Sequence, residues 1–463
     1  MTKLNISQLL RPLKNKRSLD WLDILIKEEP SIEIYLVGGS VRDLLIGRAI
    51  TDYDFVFRKI SLVNLSKLLK RHGRVIFTGQ RFGVYKFTPK GYQSTYDIAL
   101  PRLEKSKSLT GQHRDFKINY DENLSLTEDL KRRDFTINAM AIDWSKEILI
   151  DPNNGLVDLA REIIRTVGMP NDRFAEDYIR MLRAIRFACE LDYEIDNKTW
   201  TAIKRWANKL KQPNLPREPM AKEINIALLA RPLLAIDYLN NSGILQAIAP
   251  NALKRNKSGQ NIARQTVEFL LQPSLNKMYG AEDASITLIV AAWLSSLDHR
   301  ISKSLIANKT NSAVIISRQL KLTSAYPSVD IKKLSWLIRN HIRIINGELL
   351  KEPATSLELT LANPLDPNNE LLRLSQAVAK VYQTGQPAWL KNVTATNRRW
   401  QKIRPGKKMP TPLLRGDDLI KNGLASGPII GQMLLTIREA QLLHKIKNKK
   451  EALIMLNRLI NKK

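Results

Sequence analysis

Between residues 36 and 57 the chain reads LVGGSVRDLLIGRAITDYDFVF, and this stretch restricts the fold more than any other. A β-rich run ends in Gly38-Gly39, VRDLLIG behind it has helical spacing, and YDFVF reads as a second strand. Such a strand, turn, helix, strand unit belongs to a sheet with helices against it and not to a plain helical bundle. Paired glycines let backbone approach a ligand closely, Ser40 has the chemistry of a helix cap, and the free N–H groups of a helix start suit phosphate. Asp52 and Asp54 stand one residue apart on what reads as a strand, so alternation sets both carboxylates on one face and Tyr53 on the other. Two adjacent carboxylates repel each other and need a cation, and magnesium prefers carboxylates combined with substrate phosphates.

The surrounding sequence extends this pattern. IEIYLVGG, YDFVF, RVIFTG, GVYKFTP, TYDIAL, AIDW and EILID are strand-like runs with short helical stretches between them. After Asp151 apolar residues recur at three and four, with prolines as punctuation. The expected fold is therefore an α+β head, a mixed sheet with helices, followed by an all-helical neck, body and tail. The expected segments are 1–30 (leading), 31–150 (head), 151–215 (neck), 216–352 (body) and 353–463 (tail). Asp97 lies in the strand-like run TYDIAL. If that strand neighbours the first, three carboxylates surround a place for two metal ions roughly 3.5–4 Å apart, the arrangement for in-line displacement at phosphorus.

Charge narrows the partner. Lys and Arg number 74 against 45 acidic residues, a formal net charge of +29, and a folded chain so basic points to a polyanion, nucleic acid first. A single cysteine excludes a disulfide scaffold and multi-cysteine zinc sites, and five unpaired histidines argue against a histidine metal centre. No apolar run is long enough to span a membrane. The first 30 residues lack a signal-peptide core and contain Asp20, Asp23, Glu28 and Glu29, so they read as a leading helix of a cytoplasmic protein.

Gly38-Gly39-Ser40-Val41-Arg42-Asp43 with Asp52-x-Asp54 resembles the signature of class II tRNA nucleotidyltransferases and bacterial poly(A) polymerases. Later stretches are similar to that family's motifs, in its order: Arg132-Arg133-Asp134-Phe135-Thr136-Ile137-Asn138, then Asp151-Pro152 with Gly155 and Asp158, then Glu176-Asp177-x-x-Arg180-x-x-Arg183-Ala184-x-Arg186-Phe187. LRGDDLIKNGLASGPIIGQMLLTIREAQ, at 414–441, resembles the carboxy-terminal unit of many members. The resemblance implies template-independent addition of CCA to tRNA 3′ ends from CTP and ATP with Mg²⁺. Relatives that add only CC, only A, or poly(A) share the motifs.

On this reading Asp52 and Asp54 hold metal and Asp97 assists catalysis. Gly38, Gly39, Ser40 and Arg42 hold the triphosphate, while Arg132, Arg133, Asp134 and Asn138 lie near sugar and phosphates, the acid favouring a 2′-hydroxyl donor. Asp177 and Arg180, three apart on one expected helix, pair an acceptor for an exocyclic amine with a donor for ring nitrogen or carbonyl. Arg183 and Arg186 stay open between holding Asp177 or a phosphate and meeting tRNA. Phe135, Ile137 and Met140 read as core.

Further basic and aromatic candidates for RNA are Trp200, Lys204, Arg205 and Trp206, then Arg398, Arg399, Trp400, Lys402, Arg404, Lys407 and Lys408. Residues 102–126 read as a long polar loop. In the resembled family this region is a flexible element needed for the terminal A and shortened in CC-only members; here it is full length. The Gly79–Gly83 turn lacks the basic pattern of poly(A) polymerases, and Pro219 departs from the family's neck–body motif.

Overall fold

The computed structural model describes residues 5–78, 84–106, 116–211, 215–249, 257–279, 283–299, 312–366, 368–404, 410–422, 424 and 427–460. The Gly79–Gly83 turn, residues 107–115 and Lys407 and Lys408 lie outside them. The chain forms two compact units, Met1–Ala230 with Tyr238–Ile248, and Arg231–Asp237 with Ala249–Lys463.

The first unit is built on β1 (Glu33–Val37), β2 (Asp54–Arg58), β3 (Gly73–Thr78), β4 (Val84–Pro89), β5 (Tyr96–Ala99), β8 (Ala141–Asp143) and β9 (Ile148–Ile150). They make one sheet in the order β3–β4–β5–β2–β1–β8–β9. Neighbours are antiparallel except β2 and β5, which run parallel with Asp54 opposite Asp97. β1 is an interior strand, and its residues Ile34 to Val37 are buried on both faces, which is why IYLV is apolar without alternation. The expected mixed sheet with helices, followed by helices, is the fold observed.

Two helices precede the sheet, α1 (Ile6–Lys14) and α2 (Asp20–Glu28). From α2, Trp21 packs on Phe55, Phe57, Phe87 and Tyr96 with ring centroids 5.8, 6.2, 4.7 and 5.6 Å away. The leading segment thus shares the core of the strands that carry Asp54 and Asp97. After α3 (Gly39–Leu45) and α4 (Leu62–His72), the stretch expected as a loop at 102–126 contains an antiparallel ribbon, β6 (Arg102–Ser106) paired with β7 (Phe116–Tyr120). α5 (Leu126–Lys131) follows, capped by the Ser125 hydroxyl, which accepts the Glu128 N–H at 3.3 Å.

α6 (Gly155–Ala160) is seated by Asp151, whose carboxylate accepts the N–H groups of Gly155 and Leu156 at 2.7 and 2.9 Å. α7 (Pro170–Glu176), α8 (Ile179–Leu191), α9 (Asn197–Trp206) and α10 (Arg217–Ala230) complete the unit's main helices, with a two-residue parallel pair, Ile163–Ile164 with Glu194–Ile195, as the only strands among the described residues of this stretch. Pro219 sits in the first turn of α10, where a missing N–H costs nothing, so this departure leaves the helix intact. Phe135, Ile137 and Met140 are buried, as core should be.

In the second unit Ile331–Ile345, Glu370–Val381 and Pro387–Ile403 pack around Leu334, Leu337, Leu371, Leu374, Val378 and Trp400. Gly416–Lys421, Pro428–Leu442 and Lys449–Ile460 enclose a separate cluster that includes Leu419, Ile437, Ala452 and Leu456. Two expected RNA contacts are corrected here. Trp400 is completely buried, so it offers no face to a base. Arg399 donates to the carbonyls of Leu349, Leu350 and Glu352 at 2.8, 3.1 and 2.7 Å and ties two helices together, whereas Arg398 and Lys402 remain exposed. In the first unit Lys204 and Arg205 are exposed, but Trp206 packs on Tyr178 and donates to Asn171, and Trp200 packs edge-on against Tyr238. No helix among the described residues is long and apolar enough to cross a membrane.

Candidate active site

One cleft of about 1510 Å³ in the first unit is lined by Gly38, Gly39, Ser40, Arg42, Asp52, Asp54, Asp97, Arg132, Arg133, Asp134, Asn138, Asp177, Arg180, Arg183 and Arg186. Four sequence segments scattered between residues 38 and 186 therefore converge on one place. Lys204, Arg205, Arg398, Arg399 and Lys402 are not among its walls.

The floor is the end of β1 and the start of β2. Gly38 has φ +73°, a conformation side chains resist, and a Cβ there would stand 2.9 Å from Arg133 Nη1 and 3.7 Å from Asp54 Oδ2. Ser40 does not cap α3. Its hydroxyl donates to the Asp52 carbonyl at 2.8 Å and accepts the Asp54 N–H at 3.2 Å, clipping the helix start to the acidic segment. Asp52 is also corrected: it lies in a bend before β2, exposed, and only Asp54 begins the strand. Asp97 N–H donates to the Tyr53 carbonyl at 3.1 Å, so the parallel β2–β5 ladder sets the third carboxylate beside the other two.

Lys86 on β4, opposite Asp97, pairs with it at 2.7 Å, a neighbour that no local spacing could reveal. Burial pushes the Asp54 carboxyl up to about 6; Asp97 and Asp52 push the same way, against Arg133 and Lys86. Among the described residues no three His, Cys, Asp or Glu side chains form a ready metal cage. Asp52 and Asp54 nevertheless suit a hard divalent ion that takes its other ligands from phosphates, because they are oxygen donors and Asp54 bears a charge its surroundings disfavour.

That charge has a measurable sign. A carboxyl whose proton affinity rises on folding contributes stability that is complete below its ordinary range and lost as pH climbs through about 6. Asp54→Asn should therefore melt higher than the wild type in chelator at about pH 7.5 and show no advantage at about pH 4. Magnesium at the higher pH should raise the wild-type melting temperature more than the variant's. Equal melting of the two proteins at the higher pH would contradict the assignment.

Arginines also line the cleft. Arg42 bonds Asp43 through Nε at 2.9 Å and Asn138 Oδ1 through Nη1 at 2.7 Å. Asp129, absent from the sequence expectations, is completely buried and holds Arg132 at 2.6 Å and Arg133 at 3.5 Å. Burial pushes its carboxyl up, but both guanidinium groups and the Arg102 N–H outweigh that and leave it below the ordinary range. Its signal was the three- and four-residue spacing to the arginines.

Asp134 accepts the Phe135 N–H at 2.8 Å and pairs with Arg183 at 2.6 Å. Burial works against its charged form, yet Arg183 and Arg180 bring it down to about 2. Arg183 thus holds Asp134, with Glu223 at 3.8 Å, and Arg186 holds Glu223 and Glu190.

The Asp177–Arg180 pair is not on one helix. Asp177 is extended (φ −149°, ψ 107°) between α7 and α8, and its carboxylate accepts the Ile179 N–H at 2.9 Å. Arg180, in the first turn of α8, bonds Glu176 at 2.9 Å and the Arg132 carbonyl at 3.3 Å. Both are largely buried yet line the cleft, so a carboxylate and a guanidinium still face the same space from a stiff setting.

Residues 34–165 match the family model of the poly A polymerase head domain, and residues 358–456 match that of tRNA nucleotidyltransferase domain 2. A CCA-adding enzyme of Ligilactobacillus salivarius is 37% identical over 206 residues, 44% of this chain and 48% of the relative. One of Geobacillus kaustophilus is 35% identical over 226 residues, 48% of this chain and 52% of the relative. The chain spans about half the length of the curated relatives it matches. In fold the likeness is end to end. The Thermotoga maritima CCA-adding enzyme complexed with tRNA superposes with a TM-score of 0.66 at 22% identity, covering 99% of both chains. The Bacillus stearothermophilus CCA-adding enzyme in complex with CTP gives 0.64 at 23%, covering 96% of this chain and 99% of the other.

Proposed function

The chain belongs to the tRNA nucleotidyltransferase and bacterial poly(A) polymerase family, and from that premise we propose that it adds CCA to tRNA 3′ ends, without a template, from CTP and ATP. The observation that carries this reading is the convergence of carboxylates, a glycine turn, arginines and the Asp177–Arg180 pair on one cleft. The relatives named as CCA-adding enzymes, matched over about half their length, support it, and the complexes of such enzymes with tRNA and with CTP support the same substrates here.

In the reaction the 3′-hydroxyl of the RNA attacks the α-phosphorus of the nucleotide; a P–O bond forms to the incoming oxygen as its proton passes to solvent, and the bond from the α-phosphorus to the bridging oxygen breaks so that pyrophosphate departs. The start of α3, with Arg42 and Arg133, receives the triphosphate and balances its charge. Asp134 keeps lone pairs for a sugar hydroxyl while Arg183 holds it ionised. Asp177 accepts from the exocyclic amine of cytosine or adenine and Arg180 donates to the neighbouring ring position. Glu176 and the Arg132 carbonyl keep that guanidinium from swinging. Asp52 and Asp54, aided by Asp97, would hold magnesium, which supplies a lowered pKa at the attacking hydroxyl and neutralisation of the leaving pyrophosphate.

Exposed lysines and arginines of the helical segments, Lys204, Arg205, Arg398 and Lys402 among them, supply phosphate contacts along the RNA. Labelled CTP and ATP, offered with magnesium and a tRNA that lacks CCA, should be incorporated. Failure of both with every divalent metal tried would end this reading.

A further inference from the structure

We propose that Phe187 is a positioning residue for nucleotide binding, its ring being the shared surface on which Arg42, Arg183 and Arg186 are set; this rests on the cleft being a nucleotide site. The ring is 5% exposed, and the guanidinium carbons of the three arginines lie 5.3, 5.4 and 3.9 Å from its centroid. Arg183 and Arg186 come from the ring's own helix, α8, but Arg42 comes from α3, on the far side of the carboxylates in sequence. The ring therefore joins the helix that contributes Arg180 to the helix that starts at the glycine turn.

Three like charges around one point repel, and the surroundings show how the repulsion is met. Each guanidinium has its anions at the edge: Asp43 for Arg42 at 2.8 Å, Asp134 for Arg183 at 2.6 Å, and Glu223 with Glu190 for Arg186. The ring supplies a negative quadrupole, which is worth most when water is excluded. Phe135 meets it edge-on at 5.7 Å and 79°, which fixes its plane. A leucine of similar bulk would fill the same space and attract no cation.

The ring's role beyond filling space is that it sets where the N–H groups of Arg42 point. Asp43 and Asn138 take three of the five, and the others are what this side chain offers a phosphate. The phosphates are common to CTP and ATP, so losing the ring's electrons should weaken both alike and leave base selection unaltered.

The test replaces Phe187 with 3,4,5-trifluorophenylalanine, which drains the ring face while hardly changing its size, and reads steady-state kinetics on tRNA together with ATP affinity by calorimetry. KM for CTP and for ATP, and the ATP dissociation constant, should rise roughly three- to tenfold, with kcat within about twofold and melting nearly unchanged. Phe187→Leu should show the same KM effect with a lower melting temperature. Wild-type KM and ATP affinity in the trifluoro protein would overturn the proposal, as would a loss confined to kcat, which is what a merely structural ring would give. If the unmodified protein incorporates neither nucleotide, the proposed function fails on its own, and ATP affinity alone then decides the role of Phe187.

Discussion

Asp54→Ala removes nucleotide addition, with turnover falling at least about a thousandfold, while tRNA affinity stays within about threefold. The two effects separate because they belong to different physics. Asp54 sits at the start of β2 beside Gly38, Asp52 and Asp97, where it can neutralise a cation at the reacting phosphate but offers nothing attractive to a polyanion. On the proposed reading RNA affinity comes from cations spread over the surface, and deleting one carboxylate from a chain of net charge +29 should not weaken it. Losing several kcal/mol of charge stabilisation in the transition state is worth three or more powers of ten in rate. Asp52→Ala should follow the same division. The measurements are single-turnover incorporation and filter binding on each variant; tRNA binding that fell in step with turnover would contradict it.

Asp129→Ala should be the most damaging substitution outside the reacting groups. Its carboxylate is completely buried, accepts the Arg102 N–H at 3.3 Å, and anchors Arg132 and Arg133 together. Removing the buried carboxylate takes its anion from two partly buried guanidinium groups and costs about 3–5 kcal/mol. For a unit of this size that is a fall in melting temperature of roughly 6–15 °C. Arg133, freed from Asp129, no longer holds its place over Gly38, so KM for both nucleotides should rise about tenfold as well. Asp129→Asn keeps the volume and the Arg102 contact and should fall between. Because the folded carboxyl lies below its ordinary range, its contribution is present above the unfolded value and lost as pH drops through the folded one. The difference between wild type and variant should therefore shrink below about pH 4. A variant that melts within a degree or two of the wild type near neutral pH would show that the anchor is dispensable.

The cleft's composition was legible in the sequence because its parts are local motifs, each carried by one turn or helix end. The placement of Asp97 depended on a non-local fact, the parallel pairing of β2 with β5, which the run TYDIAL suggested without proving. What escaped was mostly register and breaks. Apolar spacing runs smoothly through FAEDYIRMLRAI, so nothing in it shows that the chain is extended at Asp177 and that the carboxylate restarts the helix. Asp52 shares a face with Asp54 only if the strand reaches it, and the clip from Ser40 bends the backbone first. Lys86 meets Asp97 across two antiparallel strands, a pairing set by the hairpin and invisible in either strand alone. Trp400 and Arg399 looked like an RNA surface because residue type was read without knowing which side of the helix faces the core.

The central claim is tested most directly with three tRNAs, one lacking the whole CCA end, one ending in CC and one complete, each given CTP, ATP or both. Product lengths on a sequencing gel should show three residues gained by the first with both nucleotides, one A by the second, and none by the third. Addition of A to the CC-ended tRNA with no use of CTP on the shortest would make the protein an A-adding enzyme. A long A tail on arbitrary RNA would contradict tRNA repair altogether.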